Sequence, residues 1–256
     1  MRQAPNRIMA TDPTSRISPR TLGVAGSGRF RSSDLRFITI ARPQAWESGA
    51  PSVARDGRVY RALKRMVDIV VVLLALPVAL PIIALCALAV RLDSEGAAFF
   101  TQLRTGRGGR KFRMYKLRTM VHDAAELKQK YAHLNELSWP DFKITNDPRV
   151  TRIGGFLRRT SLDELPQLLN VLRGDMSLVG PRPTSFGADT YRLWHTARLE
   201  VQPGLTGLWQ VSGRNELDFD DRLRLDISYI RNRSLMLDFL ILLKTFSAVF
   251  SGRGAS

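Results

Sequence analysis

The run Arg158-Arg159-Thr160-Ser161-Leu162-Asp163-Glu164-Leu165-Pro166 is the most informative stretch of the chain. Two adjacent carboxylates with two arginines just upstream could answer phosphate oxygens and a divalent cation at one place. Acidic pairs also open many helices simply because the N-terminal N–H groups and the dipole favour negative charge. The pair therefore gains meaning only from its company. A second cluster, Gly174-Asp175-Met176-Ser177-Leu178-Val179-Gly180-Pro181-Arg182-Pro183, sets two prolines around one arginine. This is a rigid presentation suited to an anionic group, although an ordinary loop with a solvated arginine would read the same. A third cluster runs from Val201 through Pro203-Gly204-Leu205-Thr206-Gly207 and Trp209 to Gly213-Arg214-Asn215. Its glycines would let backbone approach a ligand, Trp209 could offer an aromatic platform, and Arg214 another phosphate contact. Neither a P-loop nor a dinucleotide fingerprint occurs, which counts against ATP-type and hydride-transfer chemistry. Three scattered histidines (His122, His133, His195) and one cysteine, Cys86, make a zinc site improbable. Carboxylates beside arginines point instead to phosphate chemistry assisted by a divalent metal.

The elements that must position these groups follow from pattern. Residues 97–120 alternate apolar and polar positions around the turn Gly106-Arg107-Gly108-Gly109-Arg110, which predicts a short β-hairpin. Ala124 to Leu137 reads as a helix supported by a Glu126–Lys130 pair, and Asp147-Pro148-Arg149 as a turn. Asp163 to Leu172 reads as one helix with Leu165, Leu168, Leu169 and Leu172 on a face, Ser161 as its N-cap and Gly174 as its stop. The final apolar run, Leu235 to Phe250, carries Asp238 and Lys244 and suits a helix lying in a membrane interface.

The most apolar stretch lies ahead of all of these. Ile69 to Val90 is 22 consecutive uncharged residues, about 33 Å of helix at ~1.5 Å per residue, against a hydrocarbon core of about 30 Å. A straight span meets two objections. Pro77 and Pro81 sit mid-run, where each removes a helix hydrogen bond. Basic residues also crowd both ends: Arg61, Lys64 and Arg65 before, and eight Lys/Arg between Arg91 and Arg118 after, so a span would put one cluster on the outer face. A helix broken near its centre, entering and leaving on the cytoplasmic side, satisfies both. Asp68 at the entrance would stay near headgroups or pair with Lys64 or Arg65. Cys86, inside the run, reads as inert packing.

Residues 1–57 are rich in Arg, Ser, Pro and Gly without apolar period and read as a disordered basic tail. The first 65 residues supply +9 of the formal +16 charge, which asks for a polyanionic partner, nucleic acid or an anionic membrane face. The tail has no apolar run near its start of the kind a secretory signal carries.

In this order the motifs resemble one family. Lys64-Arg65 with Asp68, the broken apolar run, Phe100-x-Gln102-x-Arg104-x-Gly106, Lys111-Phe112-Arg113-Met114-Tyr115-Lys116-Leu117-Arg118-Thr119-Met120, Asp147-Pro148-Arg149, Ser161-Leu162-Asp163-Glu164-Leu165-Pro166-Gln167, Gly174-Asp175-Met176-Ser177, Pro181-Arg182-Pro183 and Pro203-Gly204-Leu205-Thr206-Gly207 look like the bacterial sugar transferases, the monotopic phosphoglycosyl transferases. The match covers about residues 61–250. It implies an α+β, helix-dominated fold, with a Pro-broken re-entrant membrane hairpin over 58–95 and a cytoplasmic catalytic domain over 96–256 containing a small β-hairpin. It implies that Asp163 is the nucleophile and a ligand of Mg²⁺, with Glu164 positioning the metal or managing a proton. Lys116, Arg118, Arg158, Arg182 and Arg214 would bind substrate. The donor would be a UDP-sugar, the acceptor undecaprenyl phosphate, and the location the inner membrane, its lipid a partner. A homo-oligomer is compatible. One departure concerns the hairpin: where members often carry Ser-Pro at the break, this chain has Leu80-Pro81 with an extra Pro77, and leucine cannot bond the freed backbone. The spacer between residues 121 and 146 resembles the hexose-transferring, exopolysaccharide-initiating branch, pointing to UDP-glucose or UDP-galactose.

Three alternatives stand beside this reading. The donor could be a UDP-N-acetyl-aminosugar. The protein could be a non-catalytic scaffold for polysaccharide assembly. It could also be a membrane-tethered nucleic-acid binder, but no DNA- or RNA-binding module is recognisable and the basic residues are not interleaved with aromatics, so nucleic acid is not an expected partner.

Overall fold

The computed structural model describes residues 57–136, 142, 144–184, 193–212, 217 and 219–250. The expected basic tail, Arg214 and Leu137 lie outside them. Helices dominate, with two small two-stranded sheets. In chain order the main elements are α1 (Arg58–Asp93), β1 (Phe99–Thr105), β2 (Lys111–Leu117), α2 (Ala124–Lys130), α3 (Arg152–Thr160), α4 (Leu168–Arg173), β3 (Ser177–Val179), β4 (Gly204–Thr206), α5 (Phe219–Asn232) and α6 (Leu235–Phe250).

α1 runs for 36 residues, with Pro77 and Pro81 inside it. It is long and apolar enough to cross a membrane. Its buried positions, Asp68, Val72, Ala79, Cys86 and Val90, recur at helical spacing and form one narrow stripe. Around that stripe the surface is apolar and exposed: Leu74 is 75% exposed, Leu85 68% and Leu92 80%. Soluble proteins rarely leave so much contiguous apolar surface bare, and such a surface marks contact with a membrane or another protein. α6 repeats the arrangement, with Ile241 buried while Met236, Phe239, Leu243 and Phe246 are exposed. Cys86 packs with Val90, Ala98, Leu117 and Leu157, the packing place its apolar neighbours in the sequence suggest.

Both ends of α1 are tied to the domain that follows. Near its start, Lys64 Nζ lies 2.6 Å from Asp238 Oδ2, and Arg65 donates to Val171 O and Leu172 O at the end of α4 (2.5 and 2.7 Å). Asp68 accepts from Ser177 Oγ (2.7 Å) and Leu178 N (3.2 Å), so it neither faces headgroups nor pairs with Lys64 or Arg65. At the far end, Asp93 Oδ2 accepts from Ile153 N in the first turn of α3 (3.1 Å). The Arg65 and Asp93 contacts meet backbone groups at helix ends with the charge that the helix dipole favours there, a cation at a C-terminus and an anion at an N-terminus.

The β-hairpin forms as expected: β1 and β2 pair antiparallel from Phe99↔Leu117 to Thr105↔Lys111, and the turn takes positive φ at Gly108 and Gly109. α2 is shorter than its pattern promised, ending at Lys130 before a 3₁₀ turn, Ala132–Leu134. Lys130 sits over the Tyr131 ring in place of the Glu126 pair. The largest difference concerns the Asp-Glu stretch. An unpredicted helix, α3, precedes it, capped by Thr151, whose side chain accepts from Gly154 N (3.0 Å). Ser161 then turns left-handed (φ 57°) to end α3, and although it stands at the N-cap position of the next turn its side chain makes no capping hydrogen bond. Residues Leu162–Gln167 form a 3₁₀ turn, and only from Leu168 does the chain become α-helical, stopping at Gly174 (φ 84°). Pro166 lacks an N–H and favours the tighter wind before it.

The main core gathers Val72, Met114, Leu168, Val171, Met176, Leu178, Val179, Val201, Leu208, Tyr229, Ile230 and Ile241. β3 and β4 pair parallel, Ser177↔Gly204 and Val179↔Thr206.

Candidate active site

Three segments meet at the Asp163-Glu164 turn. The first is α3, which lies close on residue 119 because Gly154 has no side chain: a Cβ there would come within 2.1 Å of Thr119 O. One helical turn later Arg158 Nε donates to Thr119 Oγ1 (2.9 Å). The second is β2, which supplies Lys116. Asn170 of α4 locks β2 in place, accepting from Tyr115 N (3.0 Å) and donating to Arg113 O (2.7 Å). The third is the Pro181-Arg182-Pro183 turn after β3.

Around the dyad the charges interlock. Lys116 Nζ is 3.0 Å from Glu164 Oε1 and 3.6 Å from Asp163 Oδ2. Arg182 binds Glu164 through both guanidinium nitrogens, with Nη1 3.2 Å from Oε2, the bidentate geometry arginine makes best. Burial pushes Glu164 upward, but Arg182 and Lys116 outweigh it and hold the carboxyl well below the usual range. Asp163 behaves oppositely. Its burial, helped by the Glu164 charge, raises its carboxyl, and Lys116, Arg182 and Arg158 offset that only in part. Burial also lowers Arg158, a guanidinium whose hydrogen bond among the described residues goes to a threonine hydroxyl. The site thus holds three cations against two carboxylates, and among the described residues one carboxylate, Asp163, has no hydrogen-bonded cation of its own. Neighbouring carboxylates driven in opposite directions are a recurring sign of divided chemical labour.

Two adjacent carboxylates are a minimal donor set. Among the described residues no group of three or more His, Cys, Asp or Glu could cage a metal. That set suits Mg²⁺, which keeps waters and takes phosphate oxygens alongside one or two carboxylates.

Asp163, Glu164, Lys116 and Arg182 are therefore brought together, with Arg158 beside them. Arg118 is not. It is buried, and its guanidinium reaches the carbonyls of Ser94 (2.8 Å) and Glu95 just past the end of α1. β2 stops at Leu117, so the alternation that would put Arg118 beside Lys116 stops there too. The structure gives Arg118 a structural place, satisfying backbone carbonyls. Arg214 lies outside the described residues. Trp209 lies under the Arg222 guanidinium, 5.5 Å from its ring centroid. Gly204 and Gly207 do not open the backbone to a ligand; a Cβ on them would come within 2.1 Å of Gly180 N and 2.5 Å of Gly180 O. These glycines let β4 press against the base of the Pro-Arg-Pro turn.

Sequence reasoning missed Gly154, Thr119, Asn170 and the buried pair Arg198–Asp226, whose Nη2–Oδ2 distance is 2.7 Å. Asn170, an amide set between Leu169 and Val171 on a predicted apolar helix, was the one with a visible signal.

Compared with known proteins, residues 59–252 match the family model described as bacterial sugar transferase. The chain is 48% identical over 164 residues to the galactosyl transferase CpsE of Streptococcus agalactiae serotype III (62% of this chain, 36% of that protein). It is 46% identical over 203 residues to the undecaprenyl-phosphate galactose phosphotransferase of Salmonella typhimurium (77% and 42%). It is 43% identical over 213 residues to the UDP-glucose:undecaprenyl-phosphate glucose-1-phosphate transferase of Caulobacter vibrioides (78% and 73%). The chain thus spans well under half the length of the first two.

Proposed function

Since the chain belongs to the bacterial sugar transferase family, we propose that it moves a hexose-1-phosphate from a UDP-sugar to undecaprenyl phosphate, releasing UMP, as the first step in building an exopolysaccharide or other surface glycan. The observation that carries the reading is Asp163: a buried carboxylate whose neighbour Glu164 takes the hydrogen bonds of both Lys116 and Arg182.

In the first half-reaction an Asp163 carboxylate oxygen attacks the β-phosphorus of the donor. The bond from that phosphorus to the oxygen bridging the α-phosphate breaks, and UMP leaves with the electron pair. An aspartyl sugar-phosphate remains. In the second half-reaction a phosphate oxygen of the polyprenyl carrier attacks the same phosphorus, forming the diphosphate-linked sugar and returning Asp163 as a carboxylate. One difficult displacement becomes two easier ones. Arg158 and Arg182 would hold the phosphoryl oxygens where charge accumulates, and Lys116 would keep Asp163 ionised despite its burial. Mg²⁺, held by Asp163 with Glu164 beside it, would offset phosphate charge.

The attachment of α1 supports a membrane topology for this reaction. Both of its ends fasten to one domain, through Arg65 and Asp68 at the start and Asp93 at the end, so both ends belong on the same side of a bilayer. Pro77 and Pro81 would set the turning point of such a re-entrant helix in the inner membrane, with the domain on the cytoplasmic face. The exposed apolar side of α6 would rest at the same surface.

The experiment is UMP release by wild type and Asp163→Asn with undecaprenyl phosphate and Mg²⁺, across UDP-glucose, UDP-galactose and UDP-N-acetyl-aminosugars. Release by wild type alone supports the nucleophile, and the active donor names the sugar. Normal turnover by Asp163→Asn would refute the covalent step, and silence with every donor would refute the reaction.

A further inference from the structure

The Pro181-Arg182-Pro183 turn depends on other elements for its position. Prolines donate no hydrogen bond, so the turn is held largely through its carbonyls. Gly204 N of β4 donates to Pro181 O (2.8 Å), and Thr105 N at the end of β1 donates to Thr184 O just beyond (3.1 Å). Between them, Arg182 O accepts from Arg198 Nη2 (2.6 Å). That nitrogen also donates to Asp226 Oδ2 on α5 (2.7 Å).

The Arg198–Asp226 pair is costly in its setting. Arg198 is 6% exposed and Asp226 1%, and Asp226 Oδ1 is buried without a hydrogen-bond partner among the described residues. Burial pushes the Asp226 carboxyl up to about 7, against the pull of Arg198 and Arg222. Apolar side chains of similar volume often stabilise a fold as well as or better than such a pair, and an unpaired buried oxygen adds a penalty. Stability therefore does not account for the pair. The carbonyl it holds does, because that carbonyl belongs to the residue whose guanidinium clamps Glu164.

We infer that Arg198, braced by Asp226, is a positioning residue for Arg182, fixing the backbone of the Pro-Arg-Pro turn so that the Arg182 guanidinium meets Glu164 beside Asp163. The inference rests on the proposed reaction only where turnover is the readout.

The test is a mutant cycle on the full chain. Replacing Arg198→Met and Asp226→Leu together removes the pair without leaving one partner's charge buried alone, and cooperative urea unfolding checks that the variant folds. Turnover is expected to fall about 10- to 100-fold, the scale of a small misplacement in an active site, with KM changing far less. In an Arg182→Met background the same double replacement should cost no more than about twofold, since residues acting as one unit are not additive. Arg198→Lys keeps a charge on Asp226 and serves if the double replacement does not fold; it should fold and lose turnover severalfold. Turnover of the folded variants within about twofold of wild type, or losses that multiply with Arg182→Met, would overturn the inference. If wild type releases no UMP from any UDP-sugar, the proposed reaction fails, and the same cycle read on urea midpoints still decides the matter. Coupling to Arg182→Met supports the positioning role; additivity rejects it.

Discussion

Lys116 Nζ stands 3.0 Å from Glu164 Oε1 but 3.6 Å from Asp163 Oδ2, so one ammonium is bonded to the second carboxylate and only leans toward the first. Glu164 is neutralised where it sits, while Asp163 keeps an electron pair uncommitted. An uncommitted carboxylate in a buried site is what attack on phosphorus requires.

This asymmetry sets a pH dependence. In the proposed reaction the ionised form of Asp163 is the reactive one, and burial raises its carboxyl above the ordinary aspartate value. Turnover should therefore fall on acidification with a midpoint above that of an ordinary aspartate. Lys116 is the first of the groups opposing the rise, so Lys116→Met should move the midpoint to higher pH and lower the rate. A pH–rate profile of UMP release for both proteins checks the sign.

Glu164→Gln should move the same midpoint the other way. The Glu164 charge raises Asp163, and removing it leaves Lys116 and Arg182 to stabilise the ionised aspartate. The rate itself is expected to drop about 100-fold, the scale of losing one preorganised electrostatic contact. An unchanged midpoint would show that the two carboxylates do not sense each other.

Asn170→Ala should unfold more easily without touching a substrate. The amide is fully buried and bridges Tyr115 N and Arg113 O, so its loss strands two groups of β2, at about 1–3 kcal/mol for a buried group left unsatisfied. Urea denaturation of the detergent-solubilised protein measures it.

Gly204→Ala should be damaging out of proportion to its size. Its Cβ would lie 2.1 Å from Gly180 N, and backbone cannot step aside as a side chain tip can. Gly108→Ala is the control: nothing lies within 4 Å of a Cβ there, and only the left-handed turn at φ 64° resists it. The expected order of thermal midpoints is wild type, Gly108→Ala, Gly204→Ala.

Chelation tests the metal. EDTA should stop UMP release and added Mg²⁺ restore it, while far-UV circular dichroism stays constant, because two carboxylates do not hold a fold together. Full activity in the chelator would remove the metal from the reaction.

Some of this architecture was legible in the residues alone. The β-hairpin was readable because alternation and a Gly-Gly turn are local signals, and the Asp163, Glu164, Arg182 and Lys116 quartet was marked by motif. The segment around the dyad misled because Asp163 to Leu172 carries an unbroken helical stripe of leucines. Periodicity cannot separate a 3₁₀ turn followed by a short helix from one longer helix. Arg118 misled for a related reason: a basic motif has no inherent direction, and only the end of β2 shows where its last arginine turns. The glycines of the Pro-Gly-Leu-Thr-Gly stretch could not be assigned without Gly180, which sits 24 residues earlier and meets them only in three dimensions. Arg198 and Asp226 gave no local signal, since their partnership exists only through tertiary packing.

The grip of α1 has a practical consequence. Asp93 caps the start of α3 and Arg65 caps the end of α4, and the Asp163-Glu164 turn is the link between those two helices. Anyone who trims the apolar segment to obtain a water-soluble enzyme would also cut both of these fastenings and strip Val72 from the core it packs into. What looks like an anchor to be removed for convenience is half of the scaffold, and a soluble version would need new caps at Ile153 and Leu172 and a new residue under the core before it could be expected to work.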